Sequence, residues 1–219
     1  MQTLLKLTSA RTANKVIDGQ MTTSTTSNLR AAYDILRNRE RGLDYLDVSA
    51  DGVLDSFKGL ALAGVIDGLA LMATHSTRKQ LGDENVGNIF AASIGTLAIA
   101  LTAYLISMVA LYFLCRYFEC ENRFTTALVA NNWAAPIVSL GFLPISLLIL
   151  ALGVNDGSAQ TGQAGALILM VAIVILIALG IRILRISLGV TIGRAVMLFC
   201  GSTFVSLLID DALRSFFNV

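Results

Sequence analysis

Five stretches of this chain are apolar enough to be read as crossing a bilayer, and no other feature constrains the fold so tightly. They cover residues 59–74, 89–115, 127–152, 164–181 and 189–209. A spanning helix needs about 20 mainly apolar residues. In hydrocarbon every backbone N–H and C=O must find its partner within the protein, and an α-helix meets that demand segment by segment. The expected fold class is therefore all-α: a polytopic transmembrane helix bundle of about five spans. Charge content agrees, at 14% charged and 55% hydrophobic residues with a mean hydropathy of +0.72. An ordinary soluble domain carries about 25% charged residues. The first stretch is short and interrupted by Asp67. It leaves room for a four-span alternative in which that segment is re-entrant.

The distribution of Lys and Arg orients the five spans. With the N-terminus, second loop and fourth loop on the cytoplasmic side, thirteen of the sixteen basic residues lie inside. The reverse orientation places three inside. The expected topology is N-terminus in and C-terminus out, with residues 211–219 as a short tail.

Ahead of the spans, residues 1–28 are polar and rich in Ser and Thr, a composition that buries too little apolar surface to offset ordering. They read as a disordered tail. Lys6 interrupts the only leucine cluster, so no secretory signal is expected. Residues 29–58 read as two amphipathic pieces. In the first, Leu29, Ala32, Tyr33 and Leu36 share one helical face, with Ser27 or Asn28 as cap and Gly42 as stop. The second runs over residues 43–57. Both are expected to lie on the membrane surface, to fold against the bundle, or to form a small solvated pair.

Within the spans a few residues carry an energetic cost. Asp67 sits about halfway along the first, where a carboxylate costs about 2.5–3.5 kcal/mol on insertion scales. Arg194, entering the fifth span, is its expected partner. Two readings follow: a proton- or ion-coupled site, or a structural carboxylate held by a salt bridge or by hydrogen bonds. The third span opens with Asn131, Asn132 and Trp133 and contains both prolines, Pro136 and Pro144. Each proline removes a backbone hydrogen bond and favours a kink. Such a helix suits a binding cavity or a structural role in a small bundle. Gly64 and Gly68 form a GxxxG, a spacing that lets helix backbones approach closely.

Other chemistry is thinly represented. Cys115, Cys120 and Cys200 are too few for a disulfide scaffold, and with the lone His75 they do not make a zinc set. No Walker A loop, G-x-S-x-G or H-E-x-x-H is present. No catalytic residue, metal or cofactor is expected. Basic residues form no stripe, so no nucleic-acid partner is expected either. The partners are the bilayer itself and, by helix packing, a second copy or another membrane protein.

Three segments, Tyr45-Leu-Asp-Val-Ser-Ala-Asp-Gly-Val-Leu-Asp-Ser-Phe57, Val129-Ala-Asn-Asn-Trp-Ala134 and Arg185-Ile-Ser-Leu-Gly-Val190, resemble uncharacterised inner-membrane proteins of alphaproteobacteria. These share the five-span, N-in plan of Yip1-type membrane proteins. The Asp-Leu-Tyr-Gly-Pro motif of eukaryotic Yip1 proteins is absent. The resemblance implies a bacterial inner-membrane protein of organising or trafficking type and transfers no catalytic residue. A non-enzymatic scaffold or assembly factor is the leading expectation. A small-solute or ion carrier using Asp67, Asn131, Asn132 and Arg194 is its rival.

Overall fold

The computed structural model describes residues 25–80, 89–155 and 159–217. The tail expected over residues 1–28 lies almost wholly outside them. Among the described residues there are six α-helices, two 3-10 turns and no strand. Helix α1 spans Thr25–Leu36, and a 3-10 turn at Glu40–Tyr45 follows it. The five long helices are α2 (Ala50–Gln80), α3 (Ile89–Tyr117), α4 (Phe124–Asn155), α5 (Ala159–Leu188) and α6 (Ile192–Phe217). Each is long and apolar enough to cross a membrane. The chain is thus a multi-pass α-helical membrane protein. The first of the five, α2, is one continuous helix through Asp67.

Helix α2 begins earlier than its apolar run. Ser49 caps it, with Oγ accepting from the Gly52 backbone N–H at 3.1 Å. Asp47 holds the Ser49 N–H at 2.9 Å. Such a cap satisfies one of the donors that a helix start leaves unpaired. The second amphipathic piece is therefore no separate helix: residues 50–57 are the first two turns of α2.

The other amphipathic piece, α1, folds against the bundle at α4 and α5. Its buried residues are Asn28, Ala31, Ala32, Asp34, Ile35 and Leu36, while Tyr33 is 48% exposed. Of the expected face, Ala32 and Leu36 are buried and Leu29 packs against the cluster, whereas Tyr33 turns outward and Ala31 and Ile35 are buried instead. The reason lies in the partner: Ala31 and Ala32 are small enough to bring α1 close to α4, and a tyrosine is not. The 3-10 turn then folds back tightly. A Cβ on Gly42 would lie 2.5 Å from the Ala31 carbonyl oxygen. From α5, Arg182 Nη1 donates to the Leu36 carbonyl at 2.7 Å and closes the C-terminal end of α1. Nearby, Asp34 accepts from Arg39 at 3.2 Å and Arg41 at 3.4 Å. Desolvation opposes ionisation of Asp34, but Arg41 and Arg39 outweigh it and hold the carboxyl below the usual aspartate range.

The spans pack as an incomplete ring. α2 lies on α4, α4 on α5, α5 on α6 and α6 on α3, whereas α3 only touches α2 and α4 lightly. One buried cluster joins α1, α4 and α5 around Trp133, Ile35 and Ile183. A second joins α3, α5 and α6 around Cys115, Leu184 and Leu198. Cys115 and Cys120 are buried in it as free thiols. The last two spans make a hairpin that turns at Gly189, where φ is +65°. A side chain there would be strained and would also strike the Arg123 guanidinium, which lies against that turn. Arg182 and Arg185 belong to the final turns of α5 rather than to the connection after it.

Candidate functional site

The site grows from the two prolines of α4. The helix runs unbroken through both, yet each proline lacks the N–H that would bond four residues back. Pro136 therefore leaves the Asn132 carbonyl without its helical partner. Helix α2 answers at that point with Gly59. A Cβ there would lie 2.5 Å from the Asn132 carbonyl oxygen and 3.0 Å from the Trp133 ring. Only a glycine lets α2 approach so closely, and its Cα–H groups are the nearest thing to a substitute donor. Pro136 is buried and Pro144 is exposed, so only the first of the two expected kink positions lies in the helix contact.

Around this contact runs a directed chain of hydrogen bonds. Asn131 Nδ2 donates to the Tyr104 hydroxyl at 3.2 Å. That hydroxyl donates to Asn132 Oδ1. Asn132 Nδ2 donates to Ser56 Oγ at 2.8 Å, and Ser56 Oγ donates to the Val53 carbonyl at 2.6 Å. Each bond polarises the next, and a satisfied network of this kind specifies one packing arrangement. Asn132 and Ser56 are fully buried. The chain ties α2, α3 and α4 together at one level of the bundle.

Two cavities flank it. The larger, about 570 Å³, lies between α2, α3 and α4. Its walls are apolar and small, with Phe57, Leu60, Gly64 and Ala135 among them, and its polar groups are Asp67, Tyr104, Asn131 and Ser139. The smaller, about 200 Å³, lies between α3, α4, α5 and α6 and is lined by Ser107, Ser202, Thr203 and Ser206 besides Tyr104 and Asn131. Tyr104 and Asn131 are the only two residues common to both linings.

Of the residues expected to share one polar site, the fold brings three together. Asp67, itself exposed, and the half-buried Asn131 line the larger cavity, and Asn132 stands behind its wall in the hydrogen-bond chain. Arg194 is elsewhere. It is exposed in the first turn of α6 and lines neither cavity. Ser202, on the smaller cavity, lies two turns further along α6, about 12 Å at 1.5 Å per residue. Asp67 lies beyond that level, on the far side of Tyr104 and Asn131. Among the described residues Asp67 and Arg194 form no ion pair, so the expected partnership is not made. Of the GxxxG pair, Gly68 is buried with Leu97 of α3 at 3.4 Å from its Cβ position, whereas nothing lies within 4 Å of that of Gly64. The side chains of His75 and its neighbours lie outside the described set. Among the described residues no group of three or more His, Cys, Asp or Glu could hold a metal.

Tyr104, Ser56 and the hydroxyl residues of the smaller cavity were not singled out by the sequence. Signals existed. Tyr104 and Ser107 are an i, i+3 polar pair in the cleanest apolar run, and Ser202 and Ser206 are an i, i+4 pair in α6. No protein-family model, curated protein or solved structure matches this chain.

Proposed function

We propose that this integral membrane protein binds, without chemical conversion, a small and largely apolar solute bearing one cationic or hydrogen-bond-donating group, and that it acts as a carrier for that solute. The observation supporting this reading is the cavity of about 570 Å³ that sets Asp67, Tyr104, Asn131 and Ser139 on apolar walls. Sites for small molecules have this make-up: apolar walls that bury the ligand and a few convergent polar groups that orient it. A carboxylate at membrane depth is costly without a partner, and Asp67 has no ion-pair partner among the described residues. A cationic head would supply one. In this proposal the chain sits in a bacterial inner membrane with the N-terminus inside, as its basic residues favour, on the five-span plan of Yip1-type proteins.

Equilibrium binding of radiolabelled tetraphenylphosphonium to the purified protein in nanodiscs tests the reading. Saturable binding that weakens at least about tenfold in Asp67→Asn, a loss of about 1.4 kcal/mol, and survives in Arg194→Gln is the expected result. Equal binding to both variants overturns it. For the topology, a reporter fused to the C-terminus is expected outside, and a cytoplasmic signal overturns the N-in arrangement.

A second reading, the scaffold or assembly protein, draws on Leu62, Val65 and Leu69, which are exposed on one side of α2 and can receive another helix. Disulfide crosslinking of Val65→Cys in membranes would then trap a homodimer or a specific partner. An absence of any crosslink sinks that reading.

A further inference from the structure

The smaller cavity has a property that the larger one lacks. Its polar lining consists of Tyr104, Ser107, Asn131, Ser202, Thr203 and Ser206. Where the protons of these groups have partners, they are already committed. Ser107 Oγ donates to the Tyr104 carbonyl at 2.7 Å. Ser202 Oγ donates to the Phe199 carbonyl at 3.1 Å. The Tyr104 hydroxyl donates to Asn132 Oδ1, and Asn131 Nδ2 donates to Tyr104. The Ser107 and Ser202 oxygens are thus left with lone pairs and no spare proton, while the Tyr104 oxygen, its proton also committed, already accepts one bond from Asn131. A cavity of about 200 Å³ lined by these oxygens and by the hydroxyls of Thr203 and Ser206, which can turn their protons aside, can offer lone pairs to a cation.

From this we propose that the smaller cavity is a site for a monovalent alkali cation, with sodium the natural probe. Hard cations take oxygen ligands, and divalent ones take them chiefly from carboxylates. None of the lining residues is acidic, so the neutral oxygen set matches a single charge. The surroundings suit it as well. Leu111, Leu184 and Phe199 close the apolar side, and a low-dielectric wall strengthens every ion–dipole contact inside. The site does not depend on a solute in the larger cavity.

Thermal unfolding of the full-length protein, read by the fluorescence of Trp133, the only tryptophan, tests the inference. Sodium chloride replaces choline chloride at constant ionic strength. The expected result is a saturable rise in melting temperature with sodium that is lost in the double variant Ser202→Ala, Ser206→Ala and reduced in the isosteric Thr203→Val. Should the double variant not fold, sodium-22 binding to Thr203→Val decides, with weakened uptake expected. Asp67→Asn keeps the sodium response, which separates this site from the solute cavity. A melting temperature indifferent to the choice of sodium or choline overturns the inference and leaves the cavity to water. So does a sodium response that persists in the hydroxyl variants, or one that vanishes in Asp67→Asn alone.

Discussion

The end of the bundle where α1 docks and the opposite end are built differently. At the α1 end, residues 127–136 of α4 are mostly buried, and so are residues 183–188 of α5. Trp133, Asn132, Ile35, Cys115 and Leu198 are fully enclosed there. At the other end α4 has no buried residue from 137 to 148, and α6 has none from 203 to 216. Between 165 and 182, α5 buries Ala172 alone. Yet α5 is at its most apolar in that loose half, with Leu167, Val171, Val174 and Ile177 exposed. A soluble protein would bury its most apolar segment first. In a bilayer, lipid tails solvate such side chains as well as another helix would, so helices associate through close packing and polar contacts instead. Packing is dense where Asn132, Ser56 and Tyr104 require partners, and it loosens where only aliphatic side chains remain. The larger cavity opens toward that loose half from the polar chain.

The sharpest way to break this contrast is Gly59→Val. A branched side chain meets the Asn132 carbonyl and the Trp133 ring, so α2 must move away from α4. A loss of more than about 2 kcal/mol is expected, read as a lower melting temperature in detergent. Gly64→Val, five residues further along α2 toward the loose half, is expected to change stability by less than about 0.5 kcal/mol. Equal losses for the two would dissolve the distinction between the halves.

Next in size is Asn132→Leu. It leaves the Ser56 and Tyr104 hydroxyls short of a partner, at a cost of about 1–3 kcal/mol. Asn132→Asp keeps an acceptor for Tyr104 but puts a carboxylate in a fully buried position with no counter-charge, and is expected to cost at least as much as Asn132→Leu.

Arg182→Gln addresses the docking of α1. Removing a charged donor from the Leu36 carbonyl weakens that contact by about 1.5–3 kcal/mol. A cysteine introduced as Ala31→Cys should then be labelled faster by a water-soluble maleimide. Unchanged labelling would mean that the apolar face alone holds α1.

The smallest effect follows from Asp34. Its folded pKa lies below the ordinary aspartate value because Arg41 and Arg39 outweigh desolvation. A carboxyl shifted downward contributes stability above its unfolded pKa of about 3.9 and loses it as pH falls through the folded value. The melting temperature should therefore fall more steeply below about pH 4 in the wild type than in Asp34→Asn.

Much of the architecture was legible along the chain because membrane physics acts on segments. Five apolar runs imply five helices whatever their neighbours are, and the interruption by Asp67 does not break the first. Asp67, Asn131 and Asn132 could be singled out because each is a polar group at a depth where polar groups are costly. Their grouping could not be read in the same way. Arg194 was the obvious counter-charge for Asp67, but a helix fixes each residue's level at 1.5 Å per position, and the register between α2 and α6 separates the two. Tyr104 drew no attention as one hydroxyl in a long apolar run. Its role depends on α3 lying beside Asn131 and Asn132, roughly 28 residues further along the chain.

The sequence by itself determined that this chain is a five-helix membrane protein and which of its residues are expensive to place in lipid. Those properties follow from transfer of each segment out of water, a local quantity summed over about 20 residues. Only the tertiary structure decided that Tyr33 turns away from the buried face of α1, that Gly59 rather than Gly64 makes the close approach, and that Asp67 shares a cavity with Asn131 and not an ion pair with Arg194. Those depend on the register and rotation of one helix against another. Contacts a few ångströms across set them, and no single segment carries that information.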